Sequence, residues 1–251
     1  MYRKIHIILG FLSFFIPFIL YVYTMAPTTS FWDCGEFIAT SFILGVPHPP
    51  GSPLFLLLGN VFSNIPIFND IGARINLISP LVSAFSVMFL YLIIVQLIEE
   101  FNGKSEDTSN LIINNISAFL AALTFAVTDS HWFNAVEAEV YSLSTFFTAI
   151  MLWMILKWSS LSKESWNIRY LLLIAYMIGL ATGIHILNLL TLPFISLIIY
   201  FKKYNYSFKS LLIVMFLTLI VFIMIYSGII LGLPDIVSKF NSLYIIILGI
   251  G

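Results

Sequence analysis

The amino-acid sequence predicts an all-α membrane protein, a bundle of about seven spans plus a partial eighth. Of its 251 residues, 60% are hydrophobic and only 9% are charged, whereas a soluble domain carries about 25% charged residues. Several apolar runs are long enough to cross a hydrocarbon core of ~30 Å at a rise of about 1.5 Å per residue. This composition excludes a soluble fold, makes membrane lipids the expected surroundings and, with a net charge of −1, indicates no nucleic-acid partner.

The spans are bounded by polar segments in which the charged residues concentrate. We interpret the first run as a retained span, because a signal peptide has a shorter apolar core of about 7–15 residues. Residues 170–200 are too long for one span, which predicts two short segments meeting near Gly183 and His185. The predicted spans are residues 5–23, 75–98, 111–127, 140–158, two within 170–200, and 211–231, followed by a loop at Pro234, Asp235 and Lys239 and by residues 244–251 as the start of an eighth.

The basic residues predict the orientation of the bundle. With a cytoplasmic N-terminus, nine of the eleven Lys and Arg residues lie on the cytoplasmic side, and only Arg74 and Lys239 lie opposite. This is a strong positive-inside bias. It places ionisable side chains from three loops on the extracytoplasmic side, where we expect a single site. They are Asp33, Glu36, His48, Asp129, His131, Glu137, Glu139 and His185.

The first extracytoplasmic loop, residues 25–74, holds the predicted active site. Residues 31–42 predict an amphipathic helix at the membrane surface, and residues 54–62 are too short to span and predict a re-entrant or surface segment. On such a helix Asp33 and Glu36 share one face, and paired carboxylates suit acid–base chemistry because they shift each other's pKa. The pattern Ser30-x-x-Asp33 also matches a capping box that merely starts a helix. Spacing alone leaves the two interpretations even.

Other polar residues extend the candidate site. His48 lies between prolines that restrict its backbone and bar a helix, which favours a binding role. Glu137 and Glu139 open the fourth span with Tyr141; on a helix, residues two apart point to opposite faces, and the helix dipole explains one acid better than two. His185 lies at the turn between the two short segments.

Motifs for other chemistries are absent from the sequence. It has no P-loop, no HExxH, no GxSxG and no cysteine pair, since Cys34 is the single cysteine. No cofactor is therefore predicted. A divalent metal on Asp33, Glu36, His48 and the later acids is the alternative, although their spacing identifies no metal.

Four segments carry a resemblance to a known family. They are residues 27–41 (PTTSFWDCGEFIATS), 48–55 (HPPGSPLF), 136–143 (VEAEVYSL) and 183–190 (GIHILNLL). They resemble a family of bacterial membrane proteins that is grouped with the GT-C glycosyltransferases and whose animal relatives are protein O-mannosyltransferases. The resemblance covers nearly the whole chain. Relatives carry more spans and a large extracytoplasmic C-terminal part, so we expect this chain, a single transmembrane domain over residues 1–251, to be a fragment or a short member.

The resemblance implies an inverting glycosyltransferase in the bacterial inner membrane. Its donor would be a polyprenyl-phosphate sugar, plausibly mannose or another hexose, and its acceptor the Ser or Thr of an exported protein, with a lipid or glycan acceptor as the alternative. Asp33 would be the catalytic base and Glu36 would orient it or the acceptor. A transporter or scaffold is the competing class, but transporters place ionisable groups at mid-membrane depth. The predicted substrate- and donor-binding residues are Trp32, His48, Arg74, Glu137, Glu139, Tyr141 and His185.

Overall fold

The computed structural model describes residues 2–49, 51–103, 107–161 and 167–248. Within these ranges the chain folds into helices and contains no strand, which confirms the all-α class. The described residues up to Asn188 form one compact unit, and those from Leu189 onward form a second. The helices of the first unit are α1 (Tyr2–Thr24), α2 (Cys34–Ile43), α3 (Pro53–Ser63), α4 (Ile71–Asn76), α5 (Ile78–Asn102), α6 (Thr108–Ala126), α7 (Asp129–Ala135), α8 (Val140–Ser160) and α9 (Ile168–Thr182).

Helix α5 is the centre of the first unit and packs against α1, α6 and α8. Helix α6 presents Ala118, Ala122 and Ala126 at a spacing of four residues to the core. Small side chains on one face let membrane helices approach closely and gain van der Waals contact, which is the main packing force where lipid removes the hydrophobic effect. The Tyr21 hydroxyl donates to the Ala126 carbonyl at 2.7 Å, and so pairs one of the free carbonyls at the end of α6.

Six helical segments of the described chain are long and apolar enough to cross a membrane. The first four predicted spans are confirmed to within a few residues. The division of residues 170–200 is also confirmed, because α9 ends at Thr182 and a 3₁₀ turn, Ile186–Leu190, leads into the next helix. The two short helices predicted in the first loop are present as α2 and α3, at Cys34–Ile43 and Pro53–Ser63.

The second unit corrects one prediction. It contains α10 (Thr191–Lys203), α11 (Phe208–Ile223), a π-helical segment (Met224–Gly232) and α12 (Leu233–Leu248). The last three run on without a break, so the predicted loop at Pro234, Asp235 and Lys239 and the separate eighth span are wrong. Pro234 lies directly after the π-helical segment, so the helix continues through the proline, and Lys239 pairs with Asp235 one turn away at 2.6 Å.

Three polar loops of the first unit meet at one end of its bundle. The Ala26 N–H donates to the Val136 carbonyl at 2.8 Å, which joins the first loop to the segment before α8. The Ser52 hydroxyl donates to the Ile184 carbonyl at 2.9 Å, which joins the same loop to the turn after α9. The expected convergence of these loops is therefore confirmed.

Candidate active site

Asp33 stands immediately before α2 with its carboxylate free of any capping role. It is the N-cap residue, yet its side chain accepts no hydrogen bond from the first turn, and the helix begins at Cys34, four residues after Ser30. The capping-box interpretation is therefore wrong. Trp32 has a φ of +58°, a left-handed conformation that costs a non-glycine residue of order 1 kcal/mol and is concentrated at functional sites. It leaves the Trp32 side chain 83% exposed.

Glu36 and His48 form a two-point contact. One oxygen, Oε1, accepts from the His48 backbone N–H at 2.7 Å, and Oε2 accepts from the ring Nδ1 at 2.7 Å. The hydrogen bond from His48 lowers the pKa of Glu36, and the same bond raises the pKa of His48. Both shifts favour the pairing of a carboxylate with an imidazolium. The prolines around His48 make this segment rigid, and the contact with Glu36 fixes its position.

Asp33 belongs to the same cluster. The ligating atoms of Asp33, Glu36 and His48 lie within 4.8 Å of one another, and two carboxylates with an imidazole could hold a divalent cation. A cation there would compete with the Glu36–His48 contact. Asp33, Glu36 and His48 are therefore the residues of the described chain that could hold a metal ion.

A cleft of about 320 Å³ opens beside this cluster. Its wall combines one exposed carboxylate, one buried carboxyl, an amide and three aromatic rings. Such a mixture, apolar surface with a few placed polar groups, is typical of a small-molecule site. The lining residues are Trp32, Asp33, Phe133, Asn134, Glu139 and Tyr141.

Glu137 and Glu139 lie in the irregular segment before α8, so the constraint of opposite helix faces does not apply to them. Glu139 is 5% exposed and Glu137 is 2% exposed. The pKa of Glu139 is raised to about 7, mainly by burial and additionally by the negative charges of Asp33 and Glu137. The Glu137 Oε1 atom is buried and has no hydrogen-bond partner among the described residues. The sequence placed both acids at the site, but their burial depends on the fold around them.

Asn76 is a positioning residue that the sequence analysis missed. Its Nδ2 group donates to the carbonyls of Ala26 and Thr28 at 2.9 and 2.8 Å. Its Oδ1 atom accepts from the Ala138 N–H at 2.9 Å and contacts the Cys34 thiol at 3.7 Å. A single buried amide thus ties the first loop, the start of α2 and the acid-bearing segment together. The sequence feature that could have indicated this role is an asparagine at the start of a long apolar run.

The remaining predicted residues separate into two groups. His185 stacks near Tyr141 with ring centroids 5.1 Å apart, so it adjoins the cleft, and burial lowers its pKa. Arg74 instead donates to the carbonyls of Phe68 and Ser63 at 2.6 and 2.9 Å, with a longer contact to Asn69. The guanidinium therefore supports the turn between α3 and α4.

His131 lies apart from the cleft, packed on Phe125 with ring centroids 4.3 Å apart. Burial lowers the pKa of His131 to about 4, so its ring is neutral. Asp129 is exposed on the first turn of α7. Neither residue lines the cleft that Asp33 and Glu139 share.

The fold and the cleft together define a multi-pass helical membrane protein with a carboxylate-bearing cleft at one end of its bundle. Comparison with known families gives the particular one. Residues 33–208, more than half of the chain, match the model of the "Protein O-mannosyl-transferase TMEM260 N-terminal domain", and the chain belongs to that family. The match begins at Asp33 and contains every cleft residue except Trp32.

Two named relatives agree with this membership. Protein O-mannosyl-transferase tmem260 of Dictyostelium discoideum is 30% identical over 190 residues, which cover 70% of this chain and 21% of the relative. Protein O-mannosyl-transferase TMEM260 of Mus musculus is 30% identical over 120 residues, which cover 48% of this chain and 15% of the relative. The chain therefore spans about a fifth of the length of the first relative. No solved structure matches.

Proposed function

We propose that this chain carries the sugar-transfer site of a protein O-mannosyltransferase. The site would move mannose or another hexose from a polyprenyl-phosphate donor to a Ser or Thr hydroxyl, with inversion at the anomeric carbon. The observation that carries the proposal is the cleft shared by Asp33 and Glu139, within the region that matches the family. The relatives' names supply the reaction class.

Asp33 is the base in this proposal. Its carboxylate has no capping hydrogen bond and faces a cleft, so it is available to take the proton of the acceptor hydroxyl. The acceptor oxygen then forms its bond to the anomeric carbon while the bond from that carbon to the phosphate oxygen breaks. The electron pair leaves with the phosphate. Positioned proton transfer of this kind contributes about 10²- to 10⁴-fold in rate.

Glu36 and His48 would organise the entrance to this cleft. The contact between them holds the His48 ring within 4.8 Å of the Asp33 ligating atom. It also raises the pKa of His48, and the protonated ring would attract a donor phosphate. His185 is the second candidate for phosphate contact, because it adjoins Tyr141 at the cleft wall. The Arg74 donors already serve three backbone carbonyls, so we assign Arg74 a structural role.

The aromatic side chains of the cleft suit a sugar. Trp32, Phe133 and Tyr141 offer apolar faces for the C–H surface of a hexose ring, and Asn134 offers an amide for its hydroxyls. We place this site on the extracytoplasmic side of a bacterial inner membrane. Nine of the eleven Lys and Arg residues of the sequence fall in segments that a cytoplasmic N-terminus leaves on the cytoplasmic side, and the first loop follows the first span.

The proposal is tested by sugar transfer in reconstituted vesicles. The chain would be given a Ser/Thr-containing peptide and radiolabelled mannose either on polyprenyl phosphate or on a nucleotide. We expect transfer from the polyprenyl phosphate alone, and a product anomer opposite to that of the donor. Transfer from the nucleotide donor, retention of configuration, or product found only on lipid or glycan would each contradict the corresponding part of the proposal.

A further inference from the structure

Glu137 and Glu139 form a buried acidic pair beside the cleft. Both side chains are at least 95% buried, and the Glu137 Oε1 atom lacks a hydrogen-bond partner among the described residues. Two ionised carboxylates buried this close to each other would repel, and each would lose its hydration. The arrangement is therefore stable only when the pair retains a proton.

Glu139 is the member of the pair that holds this proton. Burial is the largest cause of its raised pKa of about 7, and the charges of Asp33 and Glu137 act in the same direction, with His48 opposing them. Glu139 also lines the cleft, whereas Glu137 does not. Half of the molecules therefore present a neutral carboxylic acid to the cleft near pH 7, and more do so at lower pH.

The proposed reaction, on which this inference rests, creates a need for such a group. A sugar phosphodiester carries one negative charge, and the polyprenyl phosphate that departs carries one more. The cleft already contains the Asp33 carboxylate, so a second carboxylate would disfavour the departing phosphate. A protonated carboxyl has an O–H donor instead, and a hydrogen bond to a developing charge is worth about 10- to 100-fold in rate.

We propose that Glu139 acts as a neutral carboxylic acid that donates a hydrogen bond to the phosphate of the donor while Asp33, in the same cleft, acts as the base. The Glu139 proton stays on Glu139 throughout. The acceptor proton moves to Asp33, the acceptor oxygen binds the anomeric carbon, and the electron pair of the broken bond leaves on the phosphate oxygen. One cleft thus holds two carboxyl groups in opposite protonation states, and their roles follow from the difference in their burial.

The surroundings of Glu139 predict how it responds to pH. Glu139 ionises as the pH rises through about 7, so the hydrogen-bond donor and the activity that depends on it are lost on the alkaline side. Removing the Glu137 charge lowers the pKa of Glu139 and moves this loss to lower pH. The titratable side chains around Glu139 are Asp33 and Cys34 at the start of α2, His48, Glu137 in its own segment, and Tyr141 on α8.

The test compares pH profiles of kcat/KM for the wild type with three variants. Glu139→Gln keeps a neutral donor at every pH, so we expect its kcat/KM to stay level across the pH range where that of the wild type declines. Glu139→Ala removes the donor and should lower activity about 10- to 100-fold at every pH. Glu137→Gln should decline at lower pH than wild type. A Glu139→Gln variant that folds normally but is inactive, or that keeps the wild-type pH profile, would overturn the proposal.

An activity-independent readout separates this proposal from the proposed function. Infrared spectra of the full chain in vesicles should contain the carbonyl stretch of a neutral carboxylic acid that disappears around pH 7 and is absent from Glu139→Gln. If the band is present but no sugar is transferred, the proposed reaction is wrong, and so is the proposed hydrogen bond from Glu139 to the donor phosphate. If sugar is transferred but Glu139→Gln removes no such band, the neutral-acid role of Glu139 is wrong and the transferase assignment stands.

Discussion

Replacing Asn76 by alanine should unfold the site more than any change at an exposed asparagine. The amide makes three hydrogen bonds to backbone groups, at Ala26, Thr28 and Ala138. The Ala138 N–H is fully buried, so its loss of a partner costs about 1–3 kcal/mol. The two carbonyls lie nearer to solvent, and each contributes about 0.5–1.5 kcal/mol. The sum is roughly 2–6 kcal/mol, a large share of a typical folding free energy of about 5–15 kcal/mol.

The assay is thermal unfolding of the detergent-solubilised chain, followed by tryptophan fluorescence. For a chain of this size, such a loss corresponds to a fall in Tm of about 4–24 °C. Asn64→Ala is the matched control, because Asn64 is exposed and bonds only to its own turn, and its Tm should stay near that of wild type. If Asn76→Ala and Asn64→Ala unfold at the same temperature, Asn76 does not hold the three segments together.

Two further predictions follow from burial at the same end of the bundle. His131 has a pKa of about 4 in the folded protein, against 6.5 for the free side chain. Between these pH values the unfolded chain binds more protons than the folded protein. The protein therefore loses about 3 kcal/mol of stability as the pH falls through this range. His131→Phe should remove this part of the acid destabilisation, and equal pH dependence of Tm in the variant and the wild type would contradict it. Cys34 is fully buried, so it should resist a membrane-impermeant maleimide in intact cells. The exposed replacement Ser130→Cys should react in intact cells. Ser160→Cys, at the opposite end of α8, should react only after the membrane is opened. Labelling of Ser160→Cys but not Ser130→Cys in intact cells would reverse the orientation.

The spans and the division at Gly183 could be predicted from the sequence because they depend on local quantities. Hydropathy and length set where a helix can cross a membrane, and an apolar run of thirty residues must break. The continuation of α11 through the π-helical segment into α12 could not be predicted in this way. Pro234 and two charged residues resemble a loop, but the helix continues through the proline and the charges pair with each other.

The same distinction applies to the site, where local features could be predicted and long-range contacts could not. Asp33 and Glu36 were identified by their spacing and charge and by the family signature at residues 27–41, all of which can be read from one short stretch of sequence. The Glu36–His48 contact joins residues twelve apart, and the link from Asn76 to Ala138 joins residues sixty-two apart. Such contacts depend on how the loops pack, as does the burial that raises the pKa of Glu139. The sequence therefore predicted which residues form the site, but it predicted neither their protonation states nor their contacts with one another.

Replacement of Asp33 by asparagine tests the central claim most directly. The measurement is kcat for sugar transfer from polyprenyl-phosphate mannose in vesicles, with donor binding and Tm measured on the same preparation and the exposed acid variant Asp129→Asn as control. We expect Asp33→Asn to bind donor and fold normally while kcat falls about 10²- to 10⁴-fold, with Asp129→Asn unchanged. Normal folding together with wild-type kcat in Asp33→Asn would contradict the assignment of Asp33 as the base.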